Sequence, residues 1–415
     1  MSLNSQERRR VVVTGMSGVT AFGSDWKSVQ VKLKACVNAT QYMESFEQYD
    51  GLNTKLAAPI DDFELPSHYK RKQVRGMGRV AKLATVASEN ALIQSGLLGN
   101  DTLTNGGTGI AYGSSTGSTD AVEAFGVMRN EKSTKAITAT SYVQMMPHTC
   151  AVNVGLFFGL RGRLIPTSSA CTSGSQAIGY AYEAIKNGYQ TAMVAGGAEE
   201  LCPTESAVFD TLFATSLKND DPKSSPSPYD KDRDGLVIGE GAGTLVLEEY
   251  DHAKARGAKI YAELVGFASN CDAAHITQPR KETMQICMKM ALKSAGISAD
   301  QISYVSAHGT ATARGDVAET NATEGALGKG VPISSLKSYF GHTLGACGAV
   351  EAWVAIEMMN DGWFHPTLNL NNVDPECGDL DYITGSGKQL ECDYIMSNNF
   401  AFGGVNTSLI FKKMK

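Results

Sequence analysis

Six short apolar runs recur along the chain: Val11–Thr14, Gly109–Ala111, Ala192–Ala195, Thr244–Leu247, Tyr304–Ser306 and Ser408–Phe411. None alternates polar with apolar residues, so each predicts a strand buried on both faces. Helical patterns at Ala81–Ser95, Ser175–Asn187, Lys281–Ala295 and Ala349–Asn360 fall between them, with Gly296 and Gly362 as stop signals. Strands covered on both faces, interleaved with helices, dictate a layered α/β fold. The 415 residues suffice for two or three units of roughly 100–200 residues each.

An internal echo is visible. Ile165-Pro-Thr-Ser-Ser169 leads into a small-residue helix ending near Gly188-Tyr189, and Val331-Pro-Ile-Ser-Ser335 into one ending near Gly362-Trp363. The echo suggests two related halves dividing near Arg256–Lys259, 1–257 and 258–415. The stretch Asn219–Asp234, rich in Asp, Lys, Pro and Ser, reads as a surface loop.

Composition excludes several classes. The net charge of −6 leaves no chain-wide basic field for nucleic acid. No apolar run approaches the ~20 residues that span a bilayer, and Val11–Val13 is too short for a signal peptide. The nine cysteines include no CxxC pair, which argues against a disulfide framework and a structural zinc, and for a reducing cytoplasmic setting. The 43 glycines are clustered and not periodic. They mark tight turns and close approaches, and Gly239–Gly243 reads as sheet packing.

One cysteine stands apart. Cys171, in Thr167-Ser-Ser-Ala-Cys-Thr-Ser-Gly174, follows an apolar segment and opens a helical pattern, the strand-turn-helix of a nucleophile elbow. Free N–H groups and the helix dipole at that point would favour a thiolate. His308 and His342 each sit in a glycine-rich turn after an apparent strand, where open α/β sheets gather their chemistry. A metal site is the weaker reading, since no ligand stands three or four residues from either histidine. Lys337 is either an ordinary surface lysine or a fixed charge holding the site. Ser397–Asn406 joins two apolar runs through Gly403-Gly404. It is either a hairpin with core aromatics or a loop offering a backbone N–H to an oxyanion.

These motifs together resemble the β-ketoacyl-acyl carrier protein synthases of the elongating type, as in type II fatty acid and polyketide synthesis. The resemblance runs from Val11 to Lys412 through Ser169-Ala-Cys-Thr-Ser-Gly174, Asp230–Gly235, His308-Gly-Thr310, Leu336-Lys-Ser338, Gly341–Ala346 and Phe400-Ala-Phe-Gly-Gly404. It implies the thiolase fold, two similar α/β halves in five layers. It implies that Cys171 carries the acyl group, that His308 and His342 drive decarboxylation of malonyl-carrier protein, and that the N–H groups of Cys171 and Phe402 form the oxyanion hole. Lys337 and Glu319 would organise the site. Thr310 and Thr312 would bind the pantetheine arm, with His275 and Thr277 nearby, and Phe402 would gate the pocket, backed by Phe400. No cofactor and no metal are expected. Acyl carrier protein is the expected partner, and the family's members dimerise, usually as homodimers, some with a chain-length partner.

The pattern has departures. Ala313-Arg314 stands where the family often carries Pro, Tyr339-Phe340 where smaller residues are common, and Cys347 where Ala is usual, a packing change. Thr116, in the Gly113–Gly117 segment matching an acyl-pocket wall, is polar and suggests a non-standard acyl group, unsaturated or aromatic. Lys72, Arg75 and Arg79, spaced to share a helical face, are candidates for carrier-protein docking. Lys218 is a second, with Phe213 beside it where the family is often basic. A biosynthetic thiolase normally has a second catalytic Cys in the C-terminal turn, where this chain has Phe402. A non-catalytic chain-length partner, or a malonyl decarboxylase, normally lacks the nucleophile.

Overall fold

The computed structural model describes residues 8–414, so the first seven residues of the 1–257 half and Lys415 lie outside it. Eleven strands form one sheet: β1 Val11–Val19, β2 Thr108–Gly113, β3 Leu164–Thr167, β4 Ala192–Glu199, β5 Gly241–Glu249, β6 Ala262–Cys271, β7 Ile302–Ser306, β8 Pro332–Ser334, β9 Asp381–Tyr382, β10 Tyr394–Phe400 and β11 Val405–Lys413. In space they run β9-β8-β7-β10-β11-β6-β1-β5-β4-β2-β3.

This order is one pattern used twice. From β1, the partners β5 and β4 are antiparallel in turn, and β2 and β3 then add in parallel. From β6, β11 and β10 are antiparallel, and β7 and β8 then add in parallel. The sets meet only where Val12 and Val13 of β1 pair with Glu263 and Ala262 of β6.

Helices complete five layers. Helices α1 (Arg79–Ser95) and α2 (Thr149–Phe158) pack on the first set, and α5 (Lys281–Ala295) packs on the second with α6 (Ala313–Leu327) against it. Between the sets lie α3 (Ser173–Lys186) and α7 (Cys347–Asp361), each touching strands of both. These middle helices follow β3 and β8, the equivalent positions that the repeated Pro-x-Ser segments mark. Buried Trp353, Ile356 and Met359 of α7 and Ile178 and Ile185 of α3 belong to the largest apolar cluster. Helix α4 (Pro203–Asp210) follows β4 closely in the chain.

The six expected strands are all present, most of them longer than the apolar runs. Gly, Ser and Glu residues continue them because the sheet buries backbone as well as side chains. Strand β6 was not expected, since its Glu, Ser and Asn residues obscure the apolar pattern. The stretch Asn219–Asp234 is not a surface loop throughout: residues 225–230 are buried. Asp230 turns inward and accepts from the N–H groups of Asn371 and Asn372, at 2.7 and 2.8 Å. All nine cysteines are free. Among the described residues, no helix is long and apolar enough to cross a membrane.

Candidate active site

Cys171 sits between β3 and α3, one residue before the N-cap Thr172. Ala170 has φ +50, a left-handed conformation that strains a residue with a β-carbon by about 1–2 kcal/mol. The turn is pinned there: Ser173 Oγ donates to the Ala170 carbonyl at 2.7 Å and accepts from Ser169 N–H at 2.9 Å. Gly174 is required by contact. A β-carbon there would meet Gly345 O at 2.9 Å and Ala349 N at 3.0 Å. The nucleophile's turn is thereby pressed against the segment that carries His342.

His342 is held from both sides. Its N–H donates to the Val237 carbonyl at 2.7 Å, and Leu344 N–H donates to its Nδ1 at 3.2 Å. The proton therefore lies on Nε2, which is 3.0 Å from Cys171 Sγ. His308 lies at the end of β7, its ring centroid 5.1 Å from that of His342. Glu319 of α6 clamps the turn by accepting from His308 N–H and Gly309 N–H, both at 2.7 Å. Asp316, one turn earlier, accepts from Thr310 N–H at 3.0 Å and Ala311 N–H at 3.2 Å. The buried Arg233 guanidinium lies 3.6 Å from Asp316 and 2.6 Å from Asp374.

Lys337 is not a surface lysine; it is 1% exposed. Its Nζ lies 2.5 Å from Glu351 Oε1 and 3.2 Å from His308 Nδ1. An ammonium group only donates, so His308 Nδ1 accepts and its other nitrogen carries the proton. Both histidines thus present N–H groups. Burial holds both imidazoles well below their ordinary pKa, and the Lys337 charge lowers them further, so both are neutral. Burial works against the Lys337 charge, yet Glu351 outweighs it and keeps Lys337 raised. Burial pushes Glu319 up to about 8 despite its two N–H donors.

The expected thiolate is not what the site favours at rest. Burial pushes the Cys171 thiol up to about 11, and the Lys337 charge and the N–H groups of Phe402 and Cys171 offset only part of that. The helix dipole is too weak to counter desolvation at a residue only 3% exposed. The two N–H groups nevertheless converge on the sulfur, where an oxyanion would form.

A cavity of about 490 Å³ leads to Cys171, His308 and His342. Thr310, Thr312, His275, Thr277, Phe400 and Phe402 line it, as does Glu319. Thr310 and Thr312 share a 2.9 Å hydroxyl contact. Phe402, in the turn of the β10–β11 hairpin, stacks on Phe209 of α4 at 5.0 Å between centroids. Arg314 adds an exposed cation among the lining residues. Tyr339 and Phe340 are buried in the main core.

Three expectations need correction. Thr116 does not line this cavity; its hydroxyl donates to buried Glu205 of α4 at 3.1 Å. Lys72, Arg75 and Arg79 do not share a helical face. A short helix, Arg71–Val74, ends at Arg75, and α1 begins at Arg79 after Gly76 and Gly78 break the run. Arg79 points inward to the Glu240 carboxylate and to the Ile60 carbonyl at 2.8 Å, so it is not free for docking. Lys72 and Arg75 are exposed. Lys218 lies 4.0 Å from Asp234.

Sequence reasoning missed Glu351 and Asn399. Glu351 is the one acid amid the apolar face of a buried helix, a signal in itself. Cys347, read as packing, also donates its thiol to the Cys171 carbonyl at 3.2 Å. Cys171, His308 and His342 offer ligand atoms within 4.8 Å of one another, as do His308, Cys347 and Glu351, sets a soft divalent cation could enter.

A buried thiol under two converging N–H groups, beside two neutral imidazole donors, is the arrangement the sequence motifs imply, and comparison with known proteins settles the family. Residues 8–253 match the beta-ketoacyl synthase N-terminal domain and residues 261–371 its C-terminal domain. The chain belongs to the beta-ketoacyl synthase family. It is 40% identical to 3-oxoacyl-[acyl-carrier-protein] synthase 2 of Vibrio harveyi over 98% of this chain and 99% of that one. A beta-ketoacyl synthase from Burkholderia phymatum STM815, known as a crystal structure, is 57% identical with TM-score 0.97, covering 98% of this chain and all of that one. A type II PKS acyl-carrier protein in complex with its ketosynthase is similar at 30% identity and TM-score 0.87, covering 99% of this chain and 100% of the matched chain. The fold is that of the ketosynthases, two similar halves in five layers, as the resemblance implied.

Proposed function

We propose that this chain condenses an acyl group, held on Cys171, with malonyl-acyl carrier protein, giving 3-oxoacyl-carrier protein, carbon dioxide and free carrier protein. The observation that carries this is the Cys171 sulfur facing two backbone N–H groups and two neutral imidazole donors.

The chemistry follows in balanced steps. Cys171 attacks the acyl thioester, and the N–H groups of Cys171 and Phe402 hold the tetrahedral oxyanion. The pantetheine thiol leaves with the proton that Cys171 gives up. Malonyl thioester then enters through Thr310 and Thr312. Its carboxylate leaves as carbon dioxide, and the electron pair becomes an enolate whose oxygen accepts from His308 and His342. The enolate carbon attacks the acyl-Cys171 carbonyl, a carbon–carbon bond forms, and the Cys171 thiolate departs and takes a proton from solvent, restoring the resting thiol. Decarboxylation supplies the carbanion, so no strong base is needed, and this route uses no cofactor or metal. Lys337 and Glu319 act through the His308 turn.

The partner is acyl carrier protein, in its acyl and malonyl forms, with exposed Lys72 and Arg75 as its docking cations. The protein would act in the cytosol as a homodimer or with a chain-length partner. The similarity to a polyketide ketosynthase supports a specialised acyl group, unsaturated or aromatic. Efficient extension of long saturated chains, without use of polyene-type primers, would overturn that narrower reading. For the main one, the protein is incubated with acyl- and malonyl-carrier proteins, and acyl-Cys171 and the 3-oxo product are sought by mass spectrometry. A Cys171→Ala protein that still condenses would sink it. The thiolase reading is disfavoured because neither Cys377 nor Cys392 lines the cavity.

A further inference from the structure

We infer that Asn399 is a positioning residue, whose amide holds the Glu351 carboxylate and so keeps the His308 ring presenting its N–H to the reacting oxygen. The inference rests on the proposed condensation.

Asn399 lies on β10 opposite Thr407 and is fully buried. Its Nδ2 is 2.7 Å from Glu351 Oε2, 3.4 Å from His308 Nδ1 and 3.7 Å from Cys347 Sγ. A carboxylate only accepts, so the amide nitrogen must be the atom facing Glu351, and the orientation is fixed by chemistry. Asn399 Oδ1 is buried with no hydrogen-bond partner. The fold tolerates that desolvated oxygen, which argues that the residue is placed for what its Nδ2 does.

The division of Glu351 is the point. Lys337 takes Oε1 and Asn399 takes Oε2. A ring nitrogen of His308 and a Glu351 oxygen lie within 4.8 Å of each other, and His308 Nδ1 and Glu351 Oε1 both contact Lys337 Nζ. Once released from Asn399, the carboxylate becomes a competing acceptor beside Nδ1. It would draw the ring proton from the other nitrogen to Nδ1 and leave a lone pair facing the substrate. A lone pair repels an enolate oxygen, which needs a donor. Asn399 thus separates an acid that Lys337 requires from an imidazole that the acid would spoil. Gly348 leaves it the room: a β-carbon there would approach Asn399 Oδ1 to 2.6 Å.

The test separates the half-reactions. Asn399→Leu keeps the volume and removes the donor. Malonyl-carrier decarboxylation should fall about tenfold or more, the scale of ~1.4 kcal/mol in the barrier. Transfer of an acyl group to Cys171, which uses the backbone N–H pair, should change less than about threefold. Adding Glu351→Gln removes the competing carboxylate and should recover part of the decarboxylation. In ¹⁵N-histidine-labelled protein, the His308 proton should move from Nε2 to Nδ1 in Asn399→Leu and not in wild type. If Asn399→Leu does not fold, Asn399→Ser, which keeps a small donor, carries the same measurements with a smaller loss. An unmoved His308 proton, or both half-reactions falling by the same factor, overturns the inference. Wild-type protein that never turns over malonyl-carrier protein overturns the function instead, and the nitrogen spectrum still reports on Asn399.

Discussion

His342 donates toward Cys171 and does not accept from it. Leu344 N–H fills the lone pair of Nδ1 at 3.2 Å, and the remaining nitrogen stands 3.0 Å from the sulfur. This imidazole is therefore a hydrogen-bond donor and not the general base of a thiol–imidazole pair.

It follows that His342→Ala should separate two activities. Decarboxylation of malonyl-carrier protein should fall by about 10²–10³, the usual loss of one oxyanion donor. Transfer of an acyl group to Cys171 should persist within about tenfold, since no base is removed. Single-turnover mass spectrometry of acyl-Cys171 reads the second quantity directly, and equal losses in both would contradict the donor assignment.

The Cys171 thiol, pushed up to about 11 by burial, also sets a pH dependence. Below that value the reactive thiolate is the minor form, so acylation should rise about tenfold per pH unit from neutrality upward. Lys337→Met removes the cation that opposes burial and should slow acylation at a fixed pH. A rate already level at pH 7 would show that the thiolate is the resting form.

His365 gives the acid limb of stability. It is buried, and burial lowers it from 6.5 to about 4. A depressed folded value means stability is complete above 6.5 and is lost as pH falls toward 4, because the unfolded chain takes the proton first. At ~1.4 kcal/mol per pH unit this one residue removes about 3 kcal/mol. His308 and His342, also lowered, add to the loss. Urea titrations at pH 7 and pH 4.5 should show it, with a shallower slope for His365→Gln.

Arg75 and Arg79 should respond oppositely to charge reversal. Arg75→Glu should slow transfer from carrier protein and weaken its salt dependence, with Tm unchanged. Arg79→Glu faces the buried Glu240 and should lower Tm. Unchanged transfer in Arg75→Glu, at low and high salt alike, removes this patch from the docking site.

The contrast between these arginines shows where the sequence runs out. Cys171, His308 and His342 were legible because turn chemistry and glycine surround them at strand ends, whereas Lys337 was marked only by the family resemblance. The two related halves were legible in part from the repeated Pro-x-Ser segments, since β3 and β8 deliver equivalent middle helices, while the five layers rested on the family resemblance. Arg79 was misplaced because its partner Glu240 is remote in sequence and only the fold brings them together. Asn399 was hidden in what reads as an ordinary hairpin strand, and its role depends on a carboxylate from another layer. The Cys171 thiolate was overestimated because local N–H donors can be read from sequence, whereas burial is a property of the whole core.

Helices α3 and α7 touch strands of both sets, and this has a consequence for how the molecule comes apart. Each half supplies one middle helix, which packs on its own strands and on the other half's. Cut at the boundary near residue 257, each fragment would expose the apolar surface its middle helix and sheet bury against the other half, so both should be far less stable alone and gain order on meeting. The two halves are duplicate in architecture but form a single foldon: slow hydrogen exchange in β4 and in β10 should share one opening free energy. Cys171 at the start of α3 and Glu351 within α7 are thus carried by the elements that open last.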